Sequence, residues 1–109
     1  MTDFLLDNLL NNGLFIVEAE ISFLSTEEGG RKTPVKSGYR PNHFFGEFGY
    51  MGAIILEEPL NPGESRNVKV AFLDVKELRE ELAIGKEWRI QEGGFLVGKG
   101  IILKLLSSI

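Results

Sequence analysis

One stretch of the sequence decides the fold class: LFIVEAEISF, residues 14–23. From residue 17 onward apolar and polar residues alternate, so the apolar ones share one side of an extended chain. They are Val17, Ala19, Ile21 and Phe23. A period of two indicates a half-buried β-strand.

The pattern of this first strand recurs along the chain. Alternation returns at residues 67–72 and 87–91. Segments 43–48, 51–57 and 95–106 are rich in aromatic or β-branched residues. Turn-forming sequences bound several of these segments: Glu28-Gly29-Gly30, Asn61-Pro62-Gly63 and Glu92-Gly93-Gly94. About six short strands joined by turns predict an all-β domain, either an antiparallel barrel or a sandwich.

Two segments have helical rather than alternating patterns. Residues 1–13 begin with a capping residue, Thr2, carry apolar residues at a period near 3.6 and end at Gly13. This predicts a short amphipathic N-terminal helix or extension over 1–13, ahead of a barrel domain over 14–109, and packing on that domain is favoured over docking to a partner or membrane. Residues 75–82 predict one or two helical turns within a loop.

Composition narrows the functional classes. The chain has 109 residues, 43% of them hydrophobic and 26% charged, which is typical of one soluble domain. It has no cysteine, which excludes disulfides and a thiolate nucleophile and favours a cytoplasmic setting. No stretch approaches the roughly 18 apolar residues of a membrane span, and residues 1–12 lack the basic start of a signal peptide. We therefore expect no membrane partner.

Catalytic signals are weak. Residues 93–99 match the phosphate-loop pattern G-x-x-x-x-G-K, but Gly100 replaces the hydroxyl residue that would hold magnesium, and a strand-like segment follows. Glycines in a bent barrel strand explain the match better. His43 is the only histidine and stands beside two phenylalanines, which suggests a strand or rim position. We therefore predict no enzyme, nucleotide, cofactor or metal site.

Charge is segregated along the chain. Residues 31–40 (RKTPVKSGYR) carry +4, whereas the rest carries −8, because the whole chain is −4. Basic side chains with a tyrosine can grip phosphates and stack on a base or sugar. The candidates for binding RNA or another partner in this basic loop are Arg31, Lys32, Lys36, Tyr39 and Arg40. The alternative is an ordinary solvated surface.

The basic loop also belongs to a longer run that resembles a known family. Residues 17–34 (VEAEISFLSTEEGGRKTP), 38–42 (GYRPN) and 89–100 (RIQEGGFLVGKG) resemble the C-terminal β-barrel, or third domain, of bacterial elongation factor Tu. Shorter matches, GAIIL at 52–56 and Pro-Gly at 62–63, occur in the same order. The resemblance covers about residues 16–106.

This resemblance implies a six-stranded antiparallel Greek-key barrel. In the family this barrel contacts the T-stem backbone of transfer RNA, the GTPase domain and the nucleotide-exchange factor. The resemblance covers neither the GTPase domain nor the middle barrel of the family, so we expect neither GTP hydrolysis nor recognition of the aminoacyl end. By position, the family's contact residues correspond to Arg31, Lys32, Glu92 and Gly93, and to Asn42, which replaces a glutamine of the family.

Several positions depart from the family. Gly46, Gln91 and Phe95 stand where arginine is usual, and Met51 stands where threonine is usual. Each lost cation removes about one phosphate contact. We therefore expect a bacterial, non-enzymatic binding module that is related to translation and interacts with another protein or with itself. The alternative is weak binding to the backbone of transfer RNA or another RNA.

Overall fold

The computed structural model describes residues 14–106, which form a closed barrel of six antiparallel strands. Going round the barrel, the strands follow the order β1-β4-β3-β2-β5-β6, and β6 pairs with β1. The prediction of an all-β barrel of about six strands is thus confirmed. The strands are β1 (Leu14–Phe23), β2 (Asn42–Phe45), β3 (Phe48–Ile55), β4 (Ser65–Leu73), β5 (Glu87–Glu92) and β6 (Phe95–Leu105).

Within 14–106 there is little helix. A 3-10 turn covers Thr26–Glu28, and the helix α1 covers Lys76–Glu81, which confirms the prediction of one or two turns within residues 75–82. The helix predicted over 1–13 lies outside the described residues. In the part of the chain that the structure describes, no helix is long and apolar enough to cross a bilayer.

One strand prediction was wrong. Residues 43–48 do not form a single strand, because β2 ends at Phe45 and β3 begins at Phe48. Gly46 has a φ of 67°, which reverses the chain in a tight turn between them. The sequence did not predict this turn, because the aromatic residues on either side of it favour a continuous strand.

The barrel interior is built by the alternation seen in the sequence. The inward side of β1 is almost fully buried, and β4 contributes Val68, Val70 and Phe72 to the same core. Trp88 and Ile90 extend that core from β5. Burial of this continuous apolar set supplies the main driving force for folding.

Four aromatic rings lie on cross-strand glycines. The pairs face each other in register: Phe44 with Gly49, Phe72 with Gly52, Phe23 with Gly98, and Trp88 with Gly100. A Cβ atom at Gly100 would stand 2.4 Å from the Trp88 ring, so no larger residue fits without displacement. Within the segment that imitates a phosphate loop, Gly98 and Gly100 therefore make room for neighbouring side chains and backbone.

The antiparallel register gives the barrel two distinct ends. One end, here called the loop mouth, collects residues 24–41, residues 56–64 and the β5–β6 turn at 93–94. The opposite end, the helix mouth, collects the β2–β3 turn at 46–47 and residues 74–86. Most of the predicted binding residues lie on segments of the loop mouth.

Candidate functional site

The basic loop is fixed to the barrel rather than extended into solvent. Val35 is buried and exchanges two backbone hydrogen bonds with Leu60, of 2.9 and 3.0 Å. The Ile54 amide donates to the Tyr39 carbonyl at 2.9 Å, and the Leu56 amide donates to Ser37 Oγ at 2.8 Å. These bonds hold the loop against the end of β3 and the segment that follows it.

Three of the predicted residues meet at the loop mouth, and we call Arg31, Tyr39 and Glu92 the mouth cluster. Glu92 follows Trp88 and Ile90 on the inward side of β5, which directs its carboxylate toward the barrel opening. Tyr39 donates its hydroxyl hydrogen to Glu92 Oε2 at 2.5 Å, and Arg31 forms an ion pair with the same oxygen. The Arg31 guanidinium carbon also lies 5.0 Å from the centre of the Tyr39 ring.

The mouth cluster raises the pKa of its tyrosine, Tyr39. Burial raises the pKa of Tyr39 well above its ordinary value of 10, and the hydrogen bond to Glu92 and the charge of its carboxylate raise it further. Arg31 acts in the opposite direction, but less strongly. Tyr39 is therefore a hydrogen-bond donor at neutral pH, and much of the Arg31 charge is compensated by Glu92.

Other basic residues of the loop do not join the cluster. Lys32 and Lys36 are exposed, and neither forms an ion pair within residues 14–106. Arg40 instead lines a shallow depression on the outer barrel face with Met51 and Leu73. The four cations of the loop therefore do not converge on one patch.

The two remaining candidates lie on β2 and in the β5–β6 turn. Asn42 alternates with the inward-facing His43, so it faces outward, where it pairs in register with Gln91. Gly93 adopts a φ of 57° in the turn after Glu92, a conformation that favours glycine. Gly93 therefore fixes the direction in which the hairpin leaves the mouth cluster.

An acidic segment lies beside the basic loop, and sequence reasoning missed it. Residues 56–64 carry Glu57, Glu58 and Glu64 without a basic residue. The Val35–Leu60 and Ser37–Leu56 hydrogen bonds attach this segment to the basic loop. The structure therefore places the acidic segment next to the basic loop, and no local pattern could have revealed that proximity. The guanidinium of Arg66 also lies on this segment, where it donates to the carbonyls of Glu58 and Pro59.

An exposed apolar pair completes the loop mouth. Phe95 is 76% exposed and Leu96 is 44% exposed, immediately after the turn that follows Glu92. Leu96 shares a shallow groove with Leu24, Arg89 and Lys99. Sequence reasoning singled out Phe95 as a lost arginine and assigned the segment to a strand, but it did not predict this exposure.

His43 lies on strand β2, which confirms one of the two predicted alternatives, but it is a core residue and the rim alternative was wrong. The Trp88 indole N–H donates to His43 Nδ1 at 2.9 Å, which leaves the ring hydrogen on Nε2, where it bonds to the Gly52 carbonyl at 3.0 Å. Burial lowers the pKa of His43 to about 4. The imidazole has no contact with solvent, and both its nitrogens are occupied by structural hydrogen bonds.

The segment that resembles a phosphate loop is a turn followed by strand β6. Lys99 points to Glu87 on the neighbouring strand, with 3.7 Å between Nζ and Oε1. Among residues 14–106, no group of three histidine, aspartate or glutamate side chains is placed to hold a metal ion.

No protein-family model matches the chain. The candidate site is therefore defined by geometry: a mouth cluster, a loop of mixed charge and an exposed apolar pair at one end of the barrel.

Proposed function

We propose that this chain is a non-enzymatic protein-binding module whose docking surface is the loop mouth. The observation that supports this proposal is the exposure of Phe95 and Leu96 directly beside the mouth cluster. Exposed aromatic and aliphatic side chains next to an arginine and a tyrosine are typical of the centre of a protein interface.

The charge arrangement favours a protein over a polyanion. Arg31 is paired with Glu92, and the acidic segment 56–64 lies against the basic loop. Affinity for a phosphate backbone depends on cations that can replace counterions, and compensated cations contribute little. A protein surface, in contrast, can complement both signs of charge at once.

The family assignment is part of the same proposal. The strand order places β1 beside β4, and a long connection of residues 24–41 returns the chain to β2; this order supports a Greek-key barrel. Together with the sequence resemblance over residues 16–106, it supports a relation to the C-terminal barrel of elongation factor Tu. On this proposal the module works in the bacterial cytoplasm in a role related to translation.

The test uses a photoreactive amino acid at position 95 in the full-length chain. Crosslinking in cells should give a discrete adduct with one protein partner. The matched control carries the same amino acid at position 84, because Ile84 is similarly exposed, at 71%, but lies at the helix mouth. Adducts of equal yield at both positions, or none at position 95, would reject the proposal.

Affinity measurement then identifies the docking surface. With the captured partner purified, Phe95→Ser should weaken binding at least about tenfold, as expected for the loss of an interface anchor. Ile84→Ser should leave the affinity unchanged. If the captured partner is a second copy, light scattering will show a dimer that Phe95→Ser dissociates.

Weak RNA binding is a second candidate, favoured by the exposure of Lys32 and Lys36 without ion pairs within residues 14–106. With so few free cations, the affinity for transfer RNA should fall with salt at a slope of about −2 on logarithmic axes. Titration at two salt concentrations tests this, with the Lys32→Glu/Lys36→Glu double variant as control. Absence of binding even at low salt would exclude the RNA role.

A further inference from the structure

A second depression opens at the helix mouth, at the opposite end of the barrel from the proposed docking surface. It has a volume of about 380 Å³ and is lined by the β2–β3 hairpin and by α1, and we call it the helix-mouth groove. The side chains that line it are Phe45, Glu47, Phe48, Tyr50, Glu77 and Glu81. Its size falls within the range of about 300–1,000 Å³ that is usual for ligand sites.

The hairpin supplies the groove with aromatic side chains. Phe45 faces the core and pairs in register with Phe48, so both lie on the inward side of the hairpin, as does Tyr50. The Phe45 ring stacks on Trp88 with 5.1 Å between ring centroids, and it meets the Tyr50 ring edge to face at 6.2 Å. Phe48 is 70% exposed. The groove therefore combines a fixed aromatic ring with an exposed one.

The helix supplies the groove with negative charge. Glu77 and Glu81 are four positions apart on α1, so they share one face of the helix, and Glu47 adds a third acidic side chain from the hairpin turn. Within residues 14–106, Glu47 and Glu77 form no ion pair. Glu81 lies 3.7 Å from the Nζ atom of Lys86. Like charges on one helix face repel each other, and a bound cation would relieve that repulsion.

The basic residues of α1 do not supply that cation. Arg79 donates two hydrogen bonds to Asp74, of 2.6 and 2.7 Å, and its guanidinium carbon lies 5.7 Å from the centre of the Phe15 ring. Lys76 directly precedes Glu77, and adjacent positions of a helix do not face each other. No basic side chain of residues 14–106 lines the groove. Its aromatic rings and carboxylates are therefore available to a cationic ligand.

We propose that the helix-mouth groove binds an arginine side chain that projects from a basic segment of a partner protein. A guanidinium group is planar and cationic, so it can stack on an aromatic ring while it donates hydrogen bonds to carboxylates. Its aliphatic stem can cover the apolar surface beside the ring. The exposure of Phe48 favours a peptide segment over a free small molecule, because residues that flank the arginine can bury this ring.

Fluorescence anisotropy with a labelled synthetic peptide tests the proposal. The probe carries two arginines in a background of alanine and serine, and its control carries citrulline, which is planar but neutral, at both positions. At low salt the full-length chain should bind the arginine peptide at least about tenfold more tightly than the citrulline peptide. Equal affinity for the two peptides, or no binding of either, would overturn the proposal.

The acidic side of the groove is tested by a pair of exposed glutamates. Glu77→Gln with Glu81→Gln should weaken binding of the arginine peptide about tenfold, because both charged acceptors on α1 are lost. The matched control, Glu57→Gln with Glu58→Gln, removes the same charge at the loop mouth and should leave the affinity unchanged. Equal weakening by the two pairs would show a general attraction to an acidic protein, with no specific site.

The aromatic side is tested by Phe48→Ser, which should weaken the arginine peptide about fivefold or more. Ile84→Ser is the matched control, because Ile84 is 71% exposed at the same end of the barrel but does not line the groove. Phe95→Ser should also leave this affinity unchanged, so failure of the proposed loop-mouth function would not affect this result. Binding that is lost in Phe95→Ser, or arginine amide that binds as tightly as the peptide, would contradict the proposal.

Discussion

The core cluster of His43 and Trp88 and the mouth cluster each join an aromatic side chain to a polar partner by a hydrogen bond, but only the mouth cluster contains charged groups. In the core, Trp88 donates to a neutral His43, which in turn donates to Gly52. At the loop mouth, Tyr39 donates to a charged Glu92 that also binds Arg31. The core cluster is buried and uncharged, whereas the mouth cluster is partly exposed to solvent and contains an ion pair.

This difference separates stability from binding. Within residues 14–106, every buried polar side-chain atom has a hydrogen-bond partner, so the core cluster has no spare capacity for a ligand. The mouth cluster is only partly buried, and a partner can compete for its groups. We therefore expect changes in the core cluster to affect folding, and changes in the mouth cluster to affect electrostatics and recognition.

The largest effect should come from enlarging the glycine under Trp88. Gly100→Ala places a Cβ 2.4 Å from the indole ring, which forces the ring or the strand to move. Overpacking of this kind should lower the free energy of unfolding by about 3 kcal/mol, measured by chemical denaturation with Trp88 fluorescence. Gly94→Ala is the matched control, since a Cβ there meets nothing within 4 Å. Equal stability of the two variants would contradict the packing described here.

The next effect is acid destabilisation through His43. Its folded pKa of about 4 lies below the 6.5 of the unfolded chain, so the unfolded chain takes up a proton first as the pH falls. The free energy of unfolding is therefore unaffected by His43 above about pH 6.5. It falls by about 2–3 kcal/mol as the pH is lowered to about 4. Denaturation curves at several pH values measure it. His43→Gln, which retains a donor and an acceptor but does not titrate, should show a clearly smaller slope.

A smaller effect is expected at the mouth cluster. Glu92→Gln removes the carboxylate charge, so the pKa of Tyr39 should fall but remain above 10, because burial is the largest cause of its elevation. Ultraviolet absorbance during an alkaline titration measures it, in a Tyr50→Phe background that leaves one tyrosine. The stability change should stay within about 1 kcal/mol, as for other partly exposed ion pairs. An unchanged titration of Tyr39 would exclude its coupling to Glu92.

The smallest effect on stability should come from the exposed apolar pair. Phe95→Ser should change the free energy of unfolding by less than about 0.5 kcal/mol, because the side chain is mostly in solvent. The same variant should weaken partner binding strongly, so the two measurements together separate folding from recognition. A large loss of stability would show that Phe95 is a packing residue and would remove the main support for the docking surface.

Much of the barrel was predictable because its signals are local. Alternation in residues 14–23 predicted both the strand and its buried side, and the turn sequences at residues 61–63 and 92–94 predicted reversals that the structure confirms. The break between Phe45 and Phe48 was missed, because aromatic residues flank the turn and one glycine makes it. The role of His43 was missed because its partner, Trp88, lies 45 positions away.

The candidate site was less predictable because it consists of long-range contacts. The sequence indicated Arg31, Tyr39 and Glu92 as separate candidates but not their contact. Tyr39 and Arg31 bind the same oxygen of Glu92, from which they are 53 and 61 positions away in the sequence. The acidic segment 56–64 is attached to the basic loop by hydrogen bonds that no periodicity encodes. Exposure of Phe95 depends on where the hairpin leaves the barrel.

The sequence by itself determined the strands, the side of β1 that is buried and most of the turns, because side-chain alternation and glycine or proline preferences act over a few residues. Tertiary structure alone decided which charges are compensated, which glycines lie under aromatic rings and which apolar side chains remain exposed. Those properties depend on barrel closure and strand register, which bring together residues that the chain keeps far apart.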